Sequence, residues 1–161
     1  MSLDLGNIQI EGMDRIVKEI EKLDDKMKRK EIIKILRRQV EPMKEAIKAE
    51  APVYDRTVAR YTTDGKVADI YKAGNLRDSI TIKSGRNKGY PNVAVGPAFG
   101  VKKKYDGYYS FFVVYGYAGN NRVAPNDFIL RGATKVWKQV TEGTSDKLEK
   151  YIERKIKKLD I

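Results

Sequence analysis

The sequence predicts an α+β domain, with an antiparallel sheet of about three to five strands packed by N-terminal helices and a long C-terminal helix. Three observations predict it. Apolar residues recur at helical spacing over 8–50 and again over 127–159, and residues 79–117 hold short alternating or aromatic, β-branched runs. A chain of 161 residues fits one domain, 1–161, and is long enough to bury a core without metal or disulfide staples.

The first fifty residues read as two helices behind a short extended lead-in at Leu5 to Ile10. In the first, Met13, Ile16, Val17, Ile20 and Leu23 form one apolar side, opposed by Asp14, Arg15, Lys18, Glu19 and Glu21. A charged break at Asp24-Asp25 follows. Ile33, Leu36, Val40, Met43 and Ile47 then keep the rhythm of a longer helix across Pro42. An interior proline lacks a donor and clashes with the carbonyl four residues earlier, so a kink is expected near Arg38. The helix must end near Ala51, because the residue before Pro52 is driven out of the helical region.

Residues 54–73 follow as a long inserted arm in which Arg56, Arg60, Lys66 and Lys72 are interleaved with Tyr54, Tyr61 and Tyr71. Such a composition suits single-strand binding by stacking and phosphate contact, a subunit contact, or a surface loop. Ser79 to Lys83 and Asn92 to Gly96 alternate across a turn-rich tip holding Arg86 and Lys88, and read as a hairpin. The tip lacks the spacing of a nucleotide phosphate cradle. Tyr108 to Tyr117 reads as the strongest strand, with Tyr109, Phe111, Val113 and Tyr115 on one face and Phe112 and Val114 on the other. Covering both faces calls for the helices on one side and, on the other, a second subunit or the rest of the chain.

Lys102, Lys103 and Lys104 form a dense cation cluster in a loop, a candidate phosphate contact. Asn126 or Asp127 is placed to cap the last helix, whose apolar stripe runs through Ala133, Trp137, Val140, Leu148, Tyr151, Ile152, Ile156 and Leu159. Trp137 reads as a core anchor. A kink or a fresh start capped by Ser145 is expected at Gly143-Thr144-Ser145.

Composition narrows function. With no cysteine and no histidine, disulfides, thiol nucleophiles, imidazole bases and cysteine or histidine metal sites are excluded, and no cofactor is expected. Carboxylate chemistry has little support, because Asp64, Asp69, Asp78 and Asp106 show no spacing that pairs them. No apolar run approaches the roughly 20 residues that cross a bilayer, and Met1 to Asn7 lacks a signal-peptide start, so a cytoplasmic site of synthesis is expected. The net charge of +11 is uneven: +1 over residues 1–50, +6 over 51–107 and +4 over 128–161. It fits phosphate backbone, an acidic protein partner or plain solubility.

The order Gly74-Asn75-Leu76-Arg77-Asp78-Ser79-Ile80, then Val95-Gly96-Pro97, then Tyr109 to Gly116, then Phe128-Ile129-Leu130, set between helical regions, resembles the tail-completion and head-to-tail joining proteins of tailed bacteriophages. The resemblance covers roughly residues 8–140 and rests on Gly74, Asn75, Leu76, Ser79, Gly96, Pro97, Gly116, Phe128 and Leu130. It departs from the family at the 54–73 insertion, and at Val114, where those proteins usually carry an acidic residue. The resemblance implies a non-enzymatic virion protein, assembled in the host cytoplasm. It would form a homo-oligomeric ring, hexamer or dodecamer, in the neck or at the head-proximal end of the tail. Portal or connector proteins and tail proteins would be its partners, with non-specific contact to packaged double-stranded DNA and none to membrane. On this reading Tyr109, Phe111, Phe112, Val114 and Tyr115 supply subunit packing. Arg56, Arg60, Lys66, Arg86, Lys88 and Lys102 to Lys104 face DNA or a neighbouring ring. The alternative is a basic nucleic-acid-binding module acting as a monomer or small oligomer.

Overall fold

The computed structural model describes residues 25–53, 58–85, 91–100, 105, 107–118 and 124–157. The expected helix at Met13 to Leu23 lies outside them, as do Arg56, Arg86, Lys88, Lys102 to Lys104, Asp106 and Leu159. The described chain is α+β. Helix α1 (Asp25–Gln39) and helix α2 (Glu41–Glu50) are followed by strands β1 (Val58–Tyr61) and β2 (Val67–Tyr71). Then come a one-turn helix α3 (Asn75–Ser79), strands β3 (Ile80–Ser84) and β4 (Val93–Pro97), a short helix α4 (Ser110–Tyr115) and the long helix α5 (Phe128–Ile156).

Pro42 acts as expected, with the interruption at Val40. The Val40 N–H still donates to the Leu36 carbonyl at 3.0 Å and the Lys44 N–H to Val40 at 3.1 Å, while Pro42 sits in the first turn of α2, where its missing donor is harmless. Ala51 leaves the helix with φ −64° and ψ 128°, the extended geometry that Pro52 demands.

The four strands pair two by two, and the single sheet expected from the sequence is corrected to two antiparallel hairpins among the described residues. The 54–73 arm is not a plain loop. Its β1 and β2 pair Val58 with Tyr71 and Ala59 with Ile70, and the turn is closed by Thr62, whose N–H donates to the Lys66 carbonyl at 2.8 Å. The β3–β4 hairpin is as expected, with Ile80 opposite Pro97 and Ile82 opposite Val95.

Residues 110–115 are helical, which corrects the strongest strand expected. The burial period decides it: Ser110 and Val113 are buried, three residues apart, and the Val113 N–H donates to the Tyr109 carbonyl at 3.2 Å. Aromatic and β-branched residues favour strands only where neighbouring strands supply a surface to pack on. No strand lies beside this segment among the described residues, and Gly116, at φ 80° and ψ 169°, ends the turn in a conformation that favours glycine.

Two apolar clusters hold the domain. Ile47, Ala51, Leu76, Ile80, Val113 and Phe128 form the first, joining α2, α3, β3, α4 and the start of α5. Ile32, Leu36, Leu148, Tyr151 and Ile152 form the second, where α1 lies along the far half of α5. Phe128 is fully buried, and taking such a side chain out of water stabilises the fold by about 1.5–3 kcal/mol. Trp137 is only half-buried and belongs to neither cluster.

Helix α5 runs unbroken through Gly143-Thr144-Ser145, correcting the fresh start expected as one alternative there. The Thr144 hydroxyl donates to the Val140 carbonyl at 2.6 Å, and Gly143 lies where a β-carbon would come within 2.9 Å of the Gln39 side chain. Asp127 occupies the cap position without a capping bond, since its carboxylate pairs with Arg131 instead.

Candidate functional site

The residues on which the resemblance rests, Gly74, Asn75, Leu76, Ser79, Gly96, Pro97, Gly116, Phe128 and Leu130, are mostly structural. Gly74 takes φ 79° and starts α3, where a β-carbon would stand 2.9 Å from the Arg77 guanidinium. Leu76 and Ser79 are buried behind it, the Ser79 hydroxyl donating to the Leu76 carbonyl at 2.7 Å. Asn75 is buried too. Gly96 and Pro97 close the β3–β4 register, and the Ala98 N–H returns to the Ser79 carbonyl at 2.8 Å. Gly107 lies so close to Ser79 and Pro97 that a β-carbon would collide with both. These residues clamp the hairpin onto α3 and α4. Leu130 alone among them points outward, 62% exposed.

That clamp presents α4. Its inner side carries Ser110 and Val113, with Tyr109 and Val114 half-buried against the first cluster. The outer side carries Phe111, 62% exposed, with Phe112 and Tyr115 each nearly half exposed. Phe111 and Tyr115, one turn apart, meet tilted at 46° with ring centroids 4.6 Å apart, and Phe112 meets Tyr117 edge-on at 5.6 Å. Of the five residues expected to pack subunits, three therefore share one exposed surface. Tyr109 and Val114 do not, because a helical period turns them inward where a strand would have alternated them. Contiguous exposed aromatic surface on a small domain marks an interaction site.

The basic candidates divide differently. Lys66 sits in the β1–β2 turn and pairs with Asp64 at 3.1 Å, which lowers the Asp64 carboxyl pKa, the larger cause being the Thr62 hydroxyl. Arg60 lies on β1 opposite Asp69. Asp78 pairs with Arg77 at 2.9 Å, so Asp64 and Asp78 are each held by their own cation, on separate elements. Among the described residues no group of three or more carboxylates stands together to hold a metal.

The sequence places a basic outer face at the end of the last helix, Lys150 to Lys158, but the cationic side of α1 that meets it was not anticipated. Lys30, Lys34, Arg37 and Arg38 follow one another along the exposed side of α1, and Arg154, Lys155 and Lys157 face them from the end of α5. The signal was present, since residues 26–38 carry seven basic groups and one acid, but an average over fifty residues hid it behind the acidic residues before them. Arg37 also ties α1 to β3, its guanidinium donating to the Ser84 hydroxyl at 3.3 Å. Tyr151 lies between the two helices and donates to a Glu31 carboxylate oxygen at 2.7 Å. Burial, and then that bond to a carboxylate, push its pKa up to about 12.

No protein-family model matches the chain, and neither a curated protein nor a solved structure does. Among the described residues no helix is long and apolar enough to cross a membrane.

Proposed function

We propose that this chain is a structural protein of a tailed-phage virion, one copy of a ring at the neck or the head-proximal end of the tail. There it joins head to tail around the DNA channel and carries out no reaction. The observation that carries this reading is the outer side of α4, where Phe111, Phe112 and Tyr115 stand in water on a helix pinned from behind. Burying each such ring against another protein contributes about 1.5–3 kcal/mol, so the surface suits a lasting protein contact. A contact repeated head to tail around an axis closes into a ring. The order of the Gly74, Gly96, Gly116 and Phe128 motifs supplies the rest. Its partners are further copies, portal or connector proteins and tail proteins. DNA passing the lumen needs only loose, solvated cations, because tight phosphate contacts would slow ejection.

The alternative, a basic nucleic-acid-binding module, has the cationic side of α1 in its favour. One experiment separates the two. A phage lacking this chain is imaged by negative stain beside the intact phage. Unjoined filled heads and free tails, converted to joined particles by adding the purified protein, are expected. Normal virions would overturn the ring reading, and salt-dependent duplex binding by the purified chain would then select the alternative.

A further inference from the structure

We propose that the cationic side of α1, together with the end of α5, is a binding surface for the phosphate backbone of duplex DNA. The proposal rests on the reading above that the chain meets duplex DNA, and moves that contact from the loops to a helical face.

Helix α1 is the wall shared by two grooves. One, of about 550 Å³, opens toward Ile82 of β3 and carries Lys30, Lys34, Arg37 and Arg38. The other, of about 590 Å³, opens toward α5 and adds Arg154, Lys155 and Lys157 to Lys34 and Arg38. Among the described residues the acids lining them are Glu41 and Glu31, and both are already engaged. Glu41 accepts from Lys44, while Glu31 accepts from the Tyr151 hydroxyl at 2.7 Å and pairs with Lys155 at 3.0 Å. Among the described residues, no carboxylate pairs with Lys30, Lys34, Arg37, Arg38, Arg154 or Lys157, and all six are exposed. Arg37 and Arg154 are steered by neutral acceptors, the Ser84 hydroxyl at 3.3 Å and the Lys150 carbonyl at 2.9 Å, which leave their charge uncancelled.

The residues around these cations decide the occupant. Protein contacts centre on aromatic and other large apolar side chains, with charge at the rim. Single strands are held on aromatic platforms where their bases stack. Among the described residues none of the exposed large apolar side chains lines either groove, and Tyr151, the aromatic residue that does, is 7% exposed. Phe111, Phe112 and Tyr115, which suit a protein contact, stand on α4 instead. A duplex asks for neither feature, because its bases are stacked inside and it presents a regular line of phosphates. Lys30, Lys34 and Arg38 succeed one another at one turn of α1, about 6 Å apart and about 12 Å from first to last. That row lies alongside about three or four phosphates of one strand, at roughly 3.4 Å of axis for each.

Fluorescence anisotropy of a labelled random-sequence duplex of roughly 20 base pairs, titrated with the full-length protein between about 50 and 200 mM salt, tests the surface. With about five or six phosphate contacts, affinity is expected to fall about a thousandfold over that range, a log–log slope near about −5. Lys34→Gln with Arg38→Gln, both exposed, is expected to make the slope shallower by about 2 and to weaken binding about tenfold at the lower salt. Lys72→Gln with Lys147→Gln removes the same charge from exposed positions outside both grooves, and is expected to leave slope and affinity close to the parent. Equal losses in the two variants would overturn the proposal, since net charge alone would then explain binding. So would an unchanged slope in Lys34→Gln/Arg38→Gln beside a loss in Lys102→Gln/Lys103→Gln, or a single strand binding as tightly as the duplex. Displacement of the duplex by polyglutamate at an equal concentration of charge would overturn it too, and give the surface to an acidic protein. Anisotropy reads the phosphate contact and particle rescue reads place in the virion, so either can fail while the other stands.

Discussion

Gly132 and Ile47 meet backbone to backbone: a β-carbon built on Gly132 would stand 2.5 Å from the Ile47 Cα and 2.7 Å from its nitrogen. Helix α5 crosses α2 at this point with no side chain between them. Two effects of a Gly132→Ala substitution oppose each other. Alanine favours a helix interior by about 1 kcal/mol over glycine, but the clash is with backbone on a packed helix, which cannot swing aside as a side chain would. Overpacking of this kind costs about 1–3 kcal/mol, and the two helices must also part around Phe128 and Ile47. Net destabilisation is expected, read as a lowered midpoint in denaturant unfolding; a midpoint at or above that of the parent would show that the helices separate freely.

Glu50 holds the same junction from the surface. It accepts from Lys135 at 2.5 Å and from Arg131 at 3.0 Å, and those two bonds, Lys135 first, keep its carboxyl below the usual carboxylate pKa. A carboxyl whose folded pKa is depressed stabilises the fold above its unfolded value of about 4.3, and that stability is lost as pH falls through the folded value. Glu50→Gln is therefore expected to lower the melting temperature at neutral pH, with the difference from the parent closing in acid. Parallel melting curves through the whole pH range would show the bridge to be idle.

At the alkaline end the sign is reversed. Tyr151 ionises at about 12 when folded and at about 10 when unfolded, so the stability linked to its proton is complete below the unfolded value and lost as pH rises from there towards 12. Absorbance titration of the ten tyrosines is expected to leave one late component, which Tyr151→Phe removes. That variant also loses the bond to Glu31, at a cost of about 1–2 kcal/mol. A late component that persists in Tyr151→Phe would assign it to another tyrosine.

Helices α1, α2 and α5 were legible in the sequence because each writes its own period: Leu36, Ile47, Val140 and Leu148 are buried where the three-and-four rhythm put them. The β3–β4 hairpin was legible for the same reason. Residues 110–115 were misread because strand preference is a statement about neighbours, and single-sequence patterns do not show that, among the described residues, no strand lies beside Phe111 and Phe112. A fresh start capped by Ser145 was one expectation for α5, but a lone glycine costs only about 1 kcal/mol against alanine and the helix runs through it. Phe111 and Tyr115 stayed together through the change from strand to helix because positions 111 and 115 share a face at period two and also at period four. The cationic side of α1 required only a finer charge count. Gly132 carried no local sign at all, since its neighbour Ile47 lies eighty-five residues away.

The outer side of α4 separates folding from assembly. Phe111 leaves 62% of its surface in water and Tyr115 46%, and their ring contacts are with each other and with Phe112, outside both apolar clusters. Substituting exposed residues usually changes stability by less than about 0.5 kcal/mol, so Phe111→Ser with Tyr115→Ser is expected to unfold close to the parent. Val113→Ala, midway between them in sequence and 4% exposed, is expected to cost about 1–2 kcal/mol through the cavity it leaves. If the rings seat against a neighbouring subunit, the double serine variant will fail to convert heads and tails into joined particles at concentrations where Val113→Ala still does so. Full joining by the serine variant would remove α4 from the interface, whatever the fate of the ring.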